Sequence, residues 1–175
     1  METSAAGFDI VSAQTPEHIA TTRRLFTAYV KWLNIDLTYQ NIQLELDSLP
    51  GKYAAPGGDL LLAYSSDGSS LGCVAVRPLP DQSSEQQVQV TASKRHCEMK
   101  RLYVSSEARG LGLGRALVAA IVQRAKDLGY QEMRLDTLPL MKEAIQMYTK
   151  LGFVKIQPYY EAPRGTIFLA LDLTR

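Results

Sequence analysis

Arg109-Gly110-Leu111-Gly112-Leu113-Gly114-Arg115 is the stretch on which the fold of this chain turns, and an apolar run, Ala116 to Leu128, follows it directly. That run has helical periodicity and stops at Gly129, a residue suited to the left-handed turn after a helix. Upstream, Cys97-Glu98-Met99-Lys100-Arg101-Leu102-Tyr103-Val104 reads as a strand. Strand, glycine-rich turn and helix start together form an anion cradle. Glycine lets the backbone approach closely, and the unpaired amides of a helix N-terminus point at the anion. Arg109 and Arg115 add fork-shaped cationic donors.

Two phosphate-binding arrangements are excluded. No GxxxxGK[ST] occurs, so the loop is not that of a P-loop nucleotidase. The glycines fall as GxGxG rather than GxGxxG, and they come late in the chain rather than after the first strand of a βαβ series. Downstream, Met133 to Thr137 reads as a strand and Met141 to Leu151 as a helix closed by Gly152. Phe153 to Ile156 and Ile167 to Leu173 read as the last strands. Toward the N-terminus, Phe8 to Ala13 is a short strand, and Thr15-Pro16-Glu17 opens a helix that runs to Leu33. Tyr39 to Leu49 is predicted as a second helix, and Leu60 to Tyr64 and Leu71 to Val76 as a hairpin turning at 65–70. Residues 81–94 are polar and aperiodic, the pattern of a surface insertion. One α/β domain spans 1–175.

The glycine loop matches Q/R-x-x-G-x-G/A, and Ala144-Ile145-Gln146-Met147-Tyr148-Thr149-Lys150-Leu151-Gly152-Phe153 matches A-x-x-x-Y-x-K-x-G-F. With both motifs on the expected elements, the chain resembles the Gcn5-related N-acetyltransferases (GNAT). The resemblance implies a mixed, mostly antiparallel central sheet flanked by helices, and acetyl-coenzyme A as co-substrate with no metal. It implies that backbone amides from Gly110 through Leu111, Gly112, Leu113, Gly114 and Arg115, with Arg109, hold the pyrophosphate. Leu102, Tyr103 and Val104 would pair with the pantetheine arm as an added strand. One amide there, at Leu102 or Tyr103, would polarise the thioester carbonyl. Tyr148 would protonate the departing thiolate. The chain departs from the family after the strand at Met133 to Thr137: Pro139 and Leu140 stand where an Asn often caps the pantetheine.

An attacking alkylamine must lose a proton, because its pKa is ~10.4. Glu98 is the candidate base, with His96 as rival, and an ion pair with Lys100 or Arg101 is the alternative for Glu98. Strand alternation places Glu98 on one face with Lys100, Leu102 and Val104. For Tyr148 the alternative is a core tyrosine, since Met141, Ala144, Ile145 and Tyr148 form one apolar stripe. Asp136 and Thr137 fall near the substrate entrance. Tyr29, Trp32, Tyr39, Tyr53, Tyr159 and Tyr160 are candidate walls of an acceptor site, unless they pack the domain. Such walls, with few acids, suit a small, partly apolar amine or an amino acid. Lys100-Arg101 and Arg77 could serve an anionic acceptor or the 3′-phosphate of the co-substrate.

Composition narrows the classes. Nineteen Lys plus Arg against eighteen Asp plus Glu leave a net charge of +1, which argues against nucleic-acid binding. Cys73 and Cys97 lack CxxC spacing and read as reduced, buried thiols. No apolar run reaches the ~20 residues of a membrane span, and 1–9 lack a signal-peptide pattern. The expectation is a cytoplasmic enzyme acting on a small-molecule amine, without nucleic-acid or membrane partners. Protein N-terminal or lysine acetylation and a non-catalytic coenzyme A-binding regulatory module are the alternatives. Oligomeric state is open, a homodimer included.

Overall fold

The computed structural model describes residues 7–80 and 94–175, the side chain of Tyr39 excepted. The surface insertion expected over 81–94 therefore lies, Lys94 apart, outside the described residues. The elements are β1 (Phe8–Ser12), α1 (Pro16–Leu33), α2 (Ile42–Ser48), β2 (Asp59–Ser65), β3 (Ser70–Leu79), β4 (His96–Val104), α3 (Leu113–Asp127), β5 (Glu132–Thr137), α4 (Lys142–Lys150), β6 (Val154–Lys155) and β7 (Ile167–Asp172). The strands form one sheet in the order β1-β2-β3-β4-β5-β7-β6. Every neighbouring pair is antiparallel except β4–β5. This is the mixed, mostly antiparallel α/β architecture expected from the sequence.

Local chemistry sets the element ends. Thr15 Oγ1 accepts from the His18 amide at 3.2 Å and Pro16 takes the first turn, so α1 starts where the sequence predicts. The single helix expected over Tyr39 to Leu49 is instead a 3-10 turn, Thr38–Gln40, followed by α2. Asn41 sits between them at φ 54°, a left-handed conformation that Asn tolerates better than most residues, and this breaks the helix in two.

Two cores cover the sheet. Val74, Val76, Met99, Leu117, Ile121 and Tyr148 belong to the core under α3 and α4. Phe26, Tyr53, Leu62, Cys73 and Ala75 belong to the one under α1 and α2. At about 25 cal/mol per Å² of apolar surface, such burial is the main term holding the layers together.

The alternation expected along β4 fails after Lys100. Cys73 pairs with Tyr103 and Ala75 with Lys100, which leaves Val74 opposite both Arg101 and Leu102. That is a β-bulge, with Arg101 at φ 58°. Lys100 and Arg101 consequently both point to the α1–α2 side, where each bonds Gln40. Leu102 and Val104 pack on the opposite side, and Tyr103 packs against the α1–α2 core. Glu98 and Lys100 do share a face; Leu102 and Val104 lie on the other. Gly72 makes the close pairing here workable, because a Cβ on it would stand 2.6 Å from the Tyr103 carbonyl oxygen.

The parallel pairing of β4 with β5 ends early. It joins His96, Cys97 and Glu98 to Glu132, Met133 and Arg134, and then the strands part. Among the described residues, the β5 side of β4 has no strand partner from Met99 onward. That gap is where both cavities described below meet.

Candidate active site

The larger cavity is a cleft of about 650 Å³ between β4, the start of α3 and the α4 region. Its lining includes Trp32, Leu102, Tyr103, Val104, Arg109, Gly110, Gly112, Leu113, Gly114, Arg115 and Leu140. Gly110 and Gly112 stand at φ 78° and 79°, where side-chain-bearing residues are strained. Gly112 caps α3 without offering a side chain to its first amides, which have no intrahelical acceptors. The loop thus presents open N–H groups and a positive helix end to the cleft. Arg109 and Arg115 both line it, and the Arg109 guanidinium is held against the wall: its Nε donates to the Val104 carbonyl at 3.1 Å and it stacks 4.7 Å from the Trp32 ring. Leu111 is exposed on the loop and is not part of the lining.

The second cavity, about 90 Å³, lies deeper in the β4–β5 gap. Tyr29, Leu33, Leu37 and Gln40 close it on the helical side, and Lys100, Arg101, Asp136, Thr137 and Tyr148 line it from the sheet and α4. The two cavities share Leu102, Met141 and Ala144 and are therefore adjacent. Tyr148 is buried, packs 5.5 Å from Phe153, and has its phenol pushed well up, by burial first and then by Tyr29 and Asp136. It therefore carries its proton across the physiological range.

Glu98 does not reach either cavity. Its carboxylate is 1 % exposed and accepts from Arg77 Nε at 3.0 Å and from the Tyr159 hydroxyl at 2.7 Å. Arg77 Nη2 also lies 3.0 Å away, and Lys100 Nζ 3.8 Å. Burial and the Glu98 charge push the Tyr159 phenol up, so it serves as a donor here. The carboxylate that does line the deeper cavity is Asp136, with Lys100 Nζ 3.4 Å from its Oδ1. His96 lies 3.9 Å from Glu132 and lines neither cavity.

The candidate aromatic walls divide. Tyr29 lines the deep cavity and Trp32 the cleft. Tyr53 is a core residue whose hydroxyl donates to Glu45 at 2.9 Å. Tyr159 and Tyr160 cluster on Phe168. Both cysteines are buried and free; burial pushes the Cys97 thiol up to about 12 and that of Cys73 higher still.

Sequence reasoning missed Gln40 and Glu45. Glu45 is buried beneath the site and grips Arg101, with Nε–Oε2 at 2.8 Å. Burial pushes the Glu45 carboxyl up, but the Arg101 bonds and charge, with Lys52, outweigh it and leave the carboxyl below its ordinary value. No periodic signal marks Gln40, a turn residue brought to β4 only by the packing of α1 and α2. Arg77 and Glu98 are direct cross-strand partners, a pairing set by the register of β3 against β4.

A family model described as Acetyltransferase (GNAT) family matches residues 26–153. The chain belongs to the GNAT family. It is 35% identical over 171 residues to an uncharacterized N-acetyltransferase of Schizosaccharomyces pombe, covering 97% of this chain and 98% of that protein. In fold it is similar to an acetyltransferase of the GNAT family from Staphylococcus aureus Mu50, with a TM-score of 0.72, 17% identity, and coverage of 95% of this chain and 99% of that one. A chain in the structure of the NatC complex bound to Gag peptide and CoA aligns with a TM-score of 0.68 at 17% identity, covering 96% and 99%. This GNAT chain is accordingly an acetyltransferase enzyme. Among its described residues, no helix is long and apolar enough to cross a membrane, and no cluster of His, Cys, Asp and Glu could hold a metal ion.

Proposed function

We propose that the chain transfers the acetyl group of acetyl-coenzyme A directly to the amine of a small molecule, in a ternary complex. One observation carries this reading: a cleft edged by open helix amides adjoins a smaller cavity lined by Tyr148 and Asp136. The co-substrate supplies an acyl group activated as a thioester. Amides from Gly110 to Arg115 bind its pyrophosphate, with the α3 dipole behind them. The unpaired edge of β4 at Leu102, Tyr103 and Val104 takes the pantetheine arm by strand addition. An amide at Leu102 or Tyr103 donates to the thioester carbonyl oxygen.

Tyr148 gives its proton to the leaving thiolate. Asp136 lines the cavity and receives the amine's proton. Glu98 acts behind it, through Lys100 or a water, because its own oxygens are held by Arg77 and Tyr159. Two buried thiols with raised pKa values are poor nucleophiles, which supports direct transfer over an acyl-cysteine route. Free cysteines also fit a reducing compartment, the cytoplasm. The small volume of the cavity, walled on one side by Leu33, Leu37 and Gln40, favours a compact acceptor over an extended protein segment.

Calorimetry with acetyl-coenzyme A, followed by thiol release with a panel of amines, tests this. Binding, release in the presence of an amine, and intersecting initial-rate lines are expected. Tyr148→Phe and Asp136→Asn should each lower kcat by about 100-fold or more, within the range for a lost acid or base, while co-substrate affinity stays. Absence of binding by the intact protein would overturn the reading.

A further inference from the structure

The deep cavity is polar at one end in an unusual way. The β4 bulge sets two consecutive cations, Lys100 and Arg101, side by side on the cavity wall, where plain alternation would send them to opposite faces. Their side chains are 9 % and 2 % exposed. Both aim at one atom: Gln40 Oε1 accepts from Lys100 Nζ at 3.2 Å and from Arg101 Nη1 at 2.8 Å. A neutral amide oxygen thus occupies a position that two full positive charges address.

The surrounding charges do not cancel. Lys52, Arg77, Lys100 and Arg101 share Glu45, Glu98 and Asp136, four cations against three carboxylates. Burial first, and then the Arg77 and Lys100 charges, depress the Lys52 ammonium despite its bond to Glu45. Asp136 Oδ1 stands 3.4 Å from Lys100 Nζ, so a negative and a positive group sit next to each other on the wall. Leu33, Leu37, Leu135, Leu138 and Met141 are among the residues that line the rest.

The geometry points to an α-amino acid with an apolar side chain as the acceptor, its carboxylate displacing the Gln40 amide oxygen at Lys100 and Arg101 and its amine facing Asp136. This rests on the acetyl-transfer reading and names its substrate class. An amine and a carboxylate on one carbon match adjacent groups of opposite sign. A dianion would be repelled by Asp136, and a polyamine would meet the excess of positive charge. A peptide N-terminus offers an amide carbonyl where the two cations ask for a charge. Buried charged hydrogen bonds are the kind whose loss a substrate analogue feels most.

Thiol release from acetyl-coenzyme A, measured with leucine, leucinamide and isopentylamine, tests the assignment. In the wild type, kcat/KM for leucine should exceed that for either neutral-headed analogue by about tenfold or more, the scale of one charged hydrogen bond. Gln40→Glu places a tethered carboxylate against the same two cations. It should raise KM for leucine and bring the leucine-to-isopentylamine ratio toward unity. Lys100→Met should lower the same ratio, and a circular dichroism spectrum like that of the wild type confirms that the variant is folded. Leucinamide, isopentylamine or a polyamine turning over as well as leucine in the wild type would overturn the proposal, as would a leucine preference unmoved in Gln40→Glu. If acetyl-coenzyme A binds but no amine releases thiol, the acetyl-transfer reading itself fails, which is a separate outcome.

Discussion

Glu45→Gln is the perturbation whose size follows most directly from the structure. Glu45 and Arg101 are 3 % and 2 % exposed in their side chains, and Arg101 Nε and Nη2 reach the carboxylate at 2.8 and 3.3 Å. Lys52 and the Tyr53 hydroxyl converge on the same group. A neutral amide keeps one acceptor oxygen and leaves Arg101 buried without a counter-charge. Breaking one side of a buried pair costs about 3–5 kcal/mol. For a chain of this size, at about 2–4 °C per kcal/mol, the Tm should fall by roughly 6–20 °C. Thermal and urea unfolding at neutral pH measure it, with Arg175→Gln as control, since the Arg175–Asp172 pair is exposed and worth little.

The sign of the pH dependence is also determined. The folded Glu45 carboxyl lies below its ordinary 4.5, so its contribution is complete above that value and is lost as pH falls through the folded value. The gap between wild type and variant should therefore be full at neutral pH and narrow in acid. Arg101→Met combined with Glu45→Gln should cost less than the sum of the two, because each alone strands the other partner. A loss below about 1 kcal/mol, the worth of an exposed pair, or strict additivity in the double variant, would refute the view that this pair anchors α2 to the bulge.

Gly112→Glu should abolish coenzyme A binding in calorimetry while the protein remains folded: a Cβ there meets no atom within 4 Å, and the left-handed φ costs only about 1 kcal/mol. Gly72→Ala should destabilise by about 1–3 kcal/mol in urea unfolding, the cost typical of overpacking, because its Cβ would press on the Tyr103 carbonyl at 2.6 Å. Cys73 and Cys97 should react with a thiol reagent at neutral pH only at the rate of unfolding, since burial keeps both protonated.

Much was written in the sequence by itself. The strand, glycine loop and helix around Arg109 to Leu128, the second motif from Ala144 to Phe153, and the order of the elements are local patterns. Turn residues, caps and periodicity decide them within a few neighbours, and together they specify the GNAT fold and a glycine-rich loop at the start of a helix. The buried, free state of Cys73 and Cys97 was legible for the same kind of reason. The lining of the deeper cavity was not. Glu98 lies on the expected strand, but only the register of β3 against β4 brings Arg77 onto it and takes it out of the cavity. Strand alternation would separate Lys100 from Arg101; one extra residue opposite Val74 places them together, and a bulge is set by cross-strand packing rather than by the strand's own composition. Gln40 and Glu45 reach those cations from more than fifty positions away, through the docking of α1 and α2 on the sheet. Contacts made across such separations depend on the whole chain finding one packing, so tertiary structure alone decides what the cavity can hold.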